Sequence, residues 1–208
     1  MEYLDTYDKD GNYLGKKDRN YVHEHGLWHN TIHCWLYDRE GNAFFQIRHE
    51  EKTLYTSASG HVLAGESIKE AFGREIKEEL GIEIDYNKAK CIEIIPFKMD
   101  KVKKDGSIFK DRALANVYMY EFDDDYNKFN FDLNEVDGLV KVNSREALEL
   151  FEKETGSIKG EIIKPENNKI IKEPKEIKFE DFLVNEHETA LEKYGLVMTR
   201  IIEKTKIT

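Results

Sequence analysis

The sequence predicts an α+β fold, and three observations predict it. Alternating apolar and polar segments broken by Asp-Gly-type turns fill the first sixty residues. One strongly patterned helix follows. Further alternating segments come next, then a second helix and an amphipathic tail. Strands interleaved with so few helices bury their apolar faces best as a sheet with helices packed against it.

Residues 3–7 read as a strand, the turn DKDGN follows, and residues 13–14 return. TIHCWLY (31–37) places Ile32, Cys34 and Leu36 on one face and His33 and Trp35 on the other, the period of a strand. DREGN then turns the chain into AFFQIRH. The hexapeptides YDKDGN and YDREGN use one turn chemistry twice, with glycine accepting positive φ. Residues 54–62 give a strand and a loop. The clearest helix starts at a Ser67 cap, with Glu70 completing a capping box. Phe72, Ile76 and Leu80 form its apolar stripe, and Gly81 sits where a left-handed residue ends a helix. Gly73 costs about 1 kcal/mol relative to alanine inside a helix, so close packing is expected there.

CIEIIPFKM and SIFKDRALANVYMYEF read as strands around a KKDG turn, and GLVKV as another. Asn143 with Glu146 opens a second helix, REALELFEKE. GEIIKPENNKIIKEP holds two of the three prolines and reads as a linker or short hairpin. In the tail (186–204), Leu191, Tyr194, Met198 and Ile201 fall at helical spacing. The expected organisation is an N-terminal hairpin extension (1–26), a central domain (27–160) and a C-terminal extension with an amphipathic helix (161–208).

With 42 acidic against 32 basic residues the net charge is −10, which argues against a nucleic-acid polymer as partner. Cys34 and Cys91 stand in unrelated contexts and suggest neither a disulfide framework nor a zinc site. No apolar run approaches membrane-spanning length, and the acidic start lacks the apolar core of a signal peptide. A cytoplasmic protein is the expectation.

The segment REIKEELG places Glu75, Glu78 and Glu79 within one helical turn. Like charges at such spacing cost a few tenths of a kcal/mol per pair. A solvated acidic face is one explanation. The other is a cation that neutralises the cluster. The three glutamates lie beside the apolar stripe, at the edge of the core. Carboxylate oxygens with waters left over suit Mg²⁺, with Mn²⁺ as the alternative. Arg74 can reach Glu78 one turn on, and Glu70 can brace Arg74.

The residues upstream decide between the two. GHVLAGESIKEAFGREIKEELGI (60–82) resembles the Nudix box, with every specified position filled. Seven fixed identities would coincide by chance about once in 10⁸ positions, so the solvated-face explanation loses. The resemblance implies a Nudix fold, a mixed sheet between helices, and hydrolysis of a nucleoside diphosphate linked to some group X. It implies Glu75 and Glu79 as main metal ligands, Glu78 assisting, and the Gly60 carbonyl contributing. Arg74 would orient the glutamates and Glu66 would tie the loop to the helix. The base varies within the family: Glu78, Glu75 and, more weakly, Glu135 are its candidates.

The flanking sequence, from about residue 3 to about residue 120, resembles the branch related to isopentenyl diphosphate isomerase. That isomerase uses a cysteine just before the Gly-His pair. Ser59 stands there in this chain, and a hydroxyl is a poor substitute for a thiol acid. Two glutamates of a later strand correspond to Asp111 and Ala113, so one ligand is missing. His23, His29 and His61 remain as candidates for a second metal or for substrate contact. The expectation is an isomerase-like shell around a hydrolase helix, with allylic isomerisation or a silent nucleotide-binding module as the alternatives. Trp28, Trp35, Phe97 and Phe109 could stack on a base. Lys98, Lys101, Lys103, Lys104 and Lys110 could form a basic rim for an anionic substrate. The partner expected is a small-molecule diphosphate, with Trp28, His29, His61 and Lys98 as contacts; a homodimer is compatible with the chain.

Overall fold

The computed structural model describes residues 2–103, 105–183 and 190–205. Two strands, β1 (Tyr3–Tyr7) and β2 (Tyr13–Asp18), pair antiparallel as a separate small sheet. The second strand is longer than its two expected residues. A helix then appears that the periodicity does not announce, α1 (Arg19–His25). Its seven residues are too few for an apolar repeat to show. Asp18 caps it by accepting from the amides of Asn20 and Tyr21, and left-handed Gly26 closes it.

The main sheet contains β3 (His29–Tyr37), β4 (Asn42–Arg48), β5 (Leu54–Tyr55), β6 (Ala58–His61), β7 (Lys90–Val102), β8 (Ile108–Glu121), β9 (Val136–Asn143), β10 (Ser157–Glu166) and β11 (Lys169–Lys178). Its order is β11-β10-β9-β4-β3-β8-β7, with β5 on β4 and β6 on β3. β3 runs parallel to β8 and antiparallel to β6. β3 and β4 pair only at Tyr37 and Ala43 and then part. β6 takes the place beside β3 and β5 the place beside β4, so the sheet splits into a cleft.

The helix α2 (Ile68–Leu80) covers one face of the sheet. Ser67 and Glu70 form the capping box, and left-handed Gly81 ends it. A side chain at Gly81 would meet the backbone of Asn130 at 2.4 Å, so close approach also selects glycine there. Phe72, Ile76 and Leu80 pack on Ile32, Cys34, Leu36 and Phe44. The opposite face carries α3 (Ser144–Lys153) and α4 (Ala190–Thr205): Tyr194 meets Trp35 and Phe45 edge-on, and Phe151 meets Phe45 edge-on and Tyr194 tilted. The fold is therefore a mixed sheet between helices, as the α+β expectation has it.

The structure differs from the sequence expectations at three further places. Of the two readings of GEIIKPENNKIIKEP the hairpin holds and the linker does not, but the hairpin is longer than expected: two ten-residue strands turned by Asn167 and Asn168 at positive φ. β10 also joins β9, so position 160 falls inside a strand of the main sheet. Nothing lies within 4 Å of a side chain added at Gly73, so close packing does not account for that glycine. Glu70 accepts from the amide and hydroxyl of Ser67 and caps the helix instead of bracing Arg74. Of the expected tail helix, residues 186–189 lie outside the described residues, and 190–204 are helical. Cys34 is buried, Cys91 is exposed, and both are free. Among the described residues no helix is long and apolar enough to cross a membrane.

Candidate active site

The cleft where β3 and β4 part is a cavity of about 790 Å³. The loop between β6 and α2 forms one side, and the N-terminal hairpin holds it. Leu4 bridges Leu63, the amide of Ala64 donates to the Tyr3 carbonyl, and that of Gly65 donates to Asp5. α2 then delivers its glutamates to the cavity. Glu79 is only 6% exposed, unusual for a carboxylate. Its Oε2 accepts from the Ser59 amide at 3.0 Å and from Gln46 Nε2 at 3.4 Å. Burial pushes its pKa well above the ordinary range, and the charges of Glu75 and Glu135 add to the shift. Glu75 is pushed up to about 7 by burial, against the pull of Arg74 and with the repulsion of Glu78 and Glu135.

Arg74 organises this acidic set. Its Nε and Nη2 donate to the two oxygens of Glu66 at 2.8 and 2.9 Å, a bidentate pair. Nη1 donates to Glu75 at 2.7 Å and Glu78 at 3.0 Å, and Nη2 also reaches the His61 carbonyl at 2.9 Å. Glu66 in turn accepts from the Leu63 amide at 2.9 Å. Glu66 and Arg74 therefore lock the loop onto the helix. Glu78 lies at the solvent side of this network. At Gly60 a side chain would begin 2.0 Å from the Glu75 carboxyl carbon. Glycine is what lets that carboxylate lie against the strand.

These residues fit a divalent cation. The buried Glu79 and part-buried Glu75 repel each other and are pushed toward protonation, and any larger residue at position 60 would fill the space that Glu75 occupies. A hard cation reverses that repulsion, and all the side-chain donors offered are oxygen.

Beyond Gly60, on the same strand, lies a different cluster. His23 from α1, His29 from β3 and His61 from β6 each offer a ring nitrogen, all within 4.8 Å of one another. His29 Nε2 lies 3.4 Å from Asp111 Oδ1 and His23 Nε2 3.9 Å. The alignment makes no hydrogen bond: all three atoms are buried without a partner among the described residues. The other nitrogens are engaged. His23 Nδ1 lies 2.8 Å from the Arg19 carbonyl and His29 Nδ1 3.1 Å from that of Leu27. Only a protonated Nδ1 can donate there, which leaves the Nε2 lone pairs facing one another. Burial lowers the His29 pKa to about 4 and holds that of His61 well below its ordinary value, which favours the neutral rings. Burial raises that of Asp111 to about 6. Ala113 pairs with His29 across β3 and β8 and brings no ligand.

The structure distributes the other expected contacts. Phe97, Phe109, Lys101 and Lys103 line the cavity, and Phe109 stacks on His23 with centroids 4.3 Å apart. Trp28 and Lys98 pair with each other, ammonium 5.7 Å from the ring centroid, and neither is in the lining. Trp35 is fully buried in the core, where no base can reach its ring. Lys110 is not in the lining either, and Lys104 lies outside the described residues. Ser59 supplies its amide to Glu79. Sequence reasoning passed over Gln46 and Tyr55. A signal for Gln46 exists: it is polar at an inward position of AFFQIRH, sharing a face with Phe44.

A family model described as the NUDIX domain matches residues 27–164. The chain belongs to the Nudix family. It is 38% identical over 151 residues to an uncharacterised Nudix hydrolase of Clostridium acetobutylicum, spanning 68% of this chain and 69% of that one. An isopentenyl-diphosphate Delta-isomerase of Serratia proteamaculans is 32% identical over 85 residues, 38% of this chain and 48% of the isomerase. Among solved structures, one from Deinococcus radiodurans superposes with a TM-score of 0.54 at 21% identity, covering 73% of this chain and 90% of that one, a likeness of fold. The chain is thus an enzyme of the Nudix hydrolases, a family that generally hydrolyses diphosphates in small molecules with divalent cations.

Proposed function

We propose that this Nudix enzyme hydrolyses the diphosphate of a nucleoside diphosphate linked to a group X, by attack of water on phosphorus, with Mg²⁺ held by Glu75, Glu79, Glu78 and the Gly60 carbonyl. One observation carries the proposal: the buried Glu79 carboxylate and the part-buried Glu75 carboxylate, the latter lying against Gly60, meet at the wall of a cavity large enough for such a substrate. A bound divalent ion supplies neutralisation of the phosphate charge and a more acidic water. The rest is done by the chain. Ser59 and Gln46 fix the rotamer of Glu79, and Arg74 fixes those of Glu75 and Glu78. Lys101 and Lys103 give the cavity a cationic rim that attracts an anion to an acidic protein. Glu78 and Glu135 face the cavity from helix and loop. Whichever of Glu78→Gln and Glu135→Gln removes turnover while metal binding persists marks the base.

The isomerase alternative is disfavoured because Ser59 offers an amide and a hydroxyl where a thiol acid is needed, and Ala113 offers no carboxylate. Three imidazoles and Asp111 make a nitrogen-rich set suited to a borderline cation such as Zn²⁺, a second site carried by orphan Nε2 atoms. The test is a panel of diphosphates with and without Mg²⁺, the products weighed by mass spectrometry. Metal-dependent cleavage supports hydrolysis. A mass-neutral double-bond shift would replace it with isomerisation, and binding without turnover with a silent module.

A further inference from the structure

Lys193 stands in the apolar stripe of α4, three residues after Ala190 and four before Val197, and is only 2% exposed. Its Nζ lies 3.1 Å from His33 Nδ1 and 3.4 Å from the Tyr55 hydroxyl, and over the rings of Tyr55 and Tyr194 at 4.8 and 5.4 Å. Among the described residues no carboxylate is one of its partners. Burying an ammonium without a counter-ion costs several kcal/mol, and burial lowers the Lys193 pKa to about 7. A methionine would fill the same space without that cost. Packing therefore does not explain the lysine.

The two groups it holds do. His33 and Tyr55 both line the cavity. His33 pairs with Ser59 across β3 and β6, and Thr31 pairs with His61. Paired residues share a face, so these side chains emerge on the face of β6 opposite Gly60's contact with Glu75. The Thr31 hydroxyl lines the same wall, is buried, and has no hydrogen-bond partner among the described residues. Tyr55 and Phe97 meet the His33 ring edge-on, with centroids 5.7 and 6.2 Å away. Ring edges, a hydroxyl and an imidazole suit a planar ring carrying hydrogen-bond acceptors. Charged or neutral, the lysine amine has an N–H to donate. When His33 Nδ1 accepts it, the neutral ring carries its proton on Nε2, turned away from Lys193.

We propose that Lys193 is a positioning residue of this active site: it fixes His33 as an Nε2–H donor in a wall of His33, Tyr55, Thr31 and Phe97 that receives the nucleoside ring of the substrate. The C-terminal helix is then part of the substrate site. This assignment rests on the hydrolase reading of the cavity, but its test needs no turnover.

The full chain is labelled with ¹⁵N-histidine and its two-bond ¹H–¹⁵N correlations are recorded, His33 being the set absent from a His33→Gln spectrum. Mg²⁺ with α,β-methylene-ADP, which is not cleaved between its phosphates, is the probe. In the parent, His33 shows the Nε2–H pattern and its signals move as the probe is added. In Lys193→Met the pattern shifts toward the other tautomer and probe affinity falls at least about tenfold, as the loss of a buried hydrogen bond does. The melting temperature of that variant is no lower than the parent's, because the costly amine is gone. An unchanged His33 pattern, equal affinity, an unfolded variant, or a parent His33 deaf to the probe overturns the proposal. Failure of every diphosphate to be cleaved would end the hydrolase reading and leave these spectra as they are.

Discussion

The two faces of β6 solve opposite electrostatic problems. Toward α2, Gly60 admits the Glu75 carboxylate, which Arg74 holds in place beside Glu78. Its excess is negative charge. Next along the strand, His61 joins two neutral imidazoles and one aspartate, and the excess is unpaired nitrogen. The donors of the first arrangement suit a hard cation bound through oxygen, those of the second a softer one bound through nitrogen. Adjacent residues thus belong to two chemistries, and only the acidic one has the spacing of the Nudix box.

The sharpest way to break this contrast is at Glu79. Glu79→Gln is expected to lower turnover by at least roughly a hundredfold while the fold survives, since a ligand to the ion that stabilises the transition state is lost. Steady-state kinetics with a thermal melt checks it, and unchanged turnover would remove Glu79 from the ligand set. The histidine side should respond differently. His29→Ala is expected to abolish a tightly held zinc, read by elemental analysis after dialysis, and to leave the Mg²⁺ dependence of turnover in place. Equal zinc in parent and variant would dissolve the second site.

A smaller effect concerns stability. Unfolded, Lys193 keeps its proton up to its ordinary value of 10.5, whereas in the folded chain it loses it at about 7. Between those values the unfolded chain holds the extra proton, so stability rises with pH across that window. His33, Tyr55 and Tyr194 are the titratable groups its amine meets among the described residues. Lys193→Met should flatten that rise, measured by denaturant melts at about pH 7 and about pH 9. A rise of equal size in the variant would trace it to other groups. The smallest effect is expected at Ser59→Ala, because Glu79 takes the backbone amide and the substitution keeps it. Near-parental turnover is the expectation; complete loss would give the hydroxyl a role in the chemistry.

Much of the acidic side was legible beforehand. The Ser67–Glu70 box, the Phe72–Ile76–Leu80 stripe and the Gly81 stop are local signals, and each sits where its spacing places it. The tie between Glu66 and the helix was legible too, whereas the brace from Glu70 to Arg74 does not form, because the cap on Ser67 engages that carboxylate. The histidine side was legible only as separate residues. α1 is too short to announce itself, and nothing in the spacing of His23, His29, His61 and Asp111 says that they converge. Trp28 and Lys98 show the converse: plausible contacts by type, paired with each other at the side of the cavity.

The sequence by itself determined the helix α2, its caps, its glutamates and the glycine that faces Glu75, because those relations run between residues a turn or a loop apart. Only the tertiary structure decided how the sheet splits between β3 and β4, how three histidines meet an aspartate, and how Lys193 comes to lie on His33, 160 positions away. Periodicity records which face of a segment is apolar. It does not record which other face that one will meet, and it is that meeting which sets distance, burial and protonation.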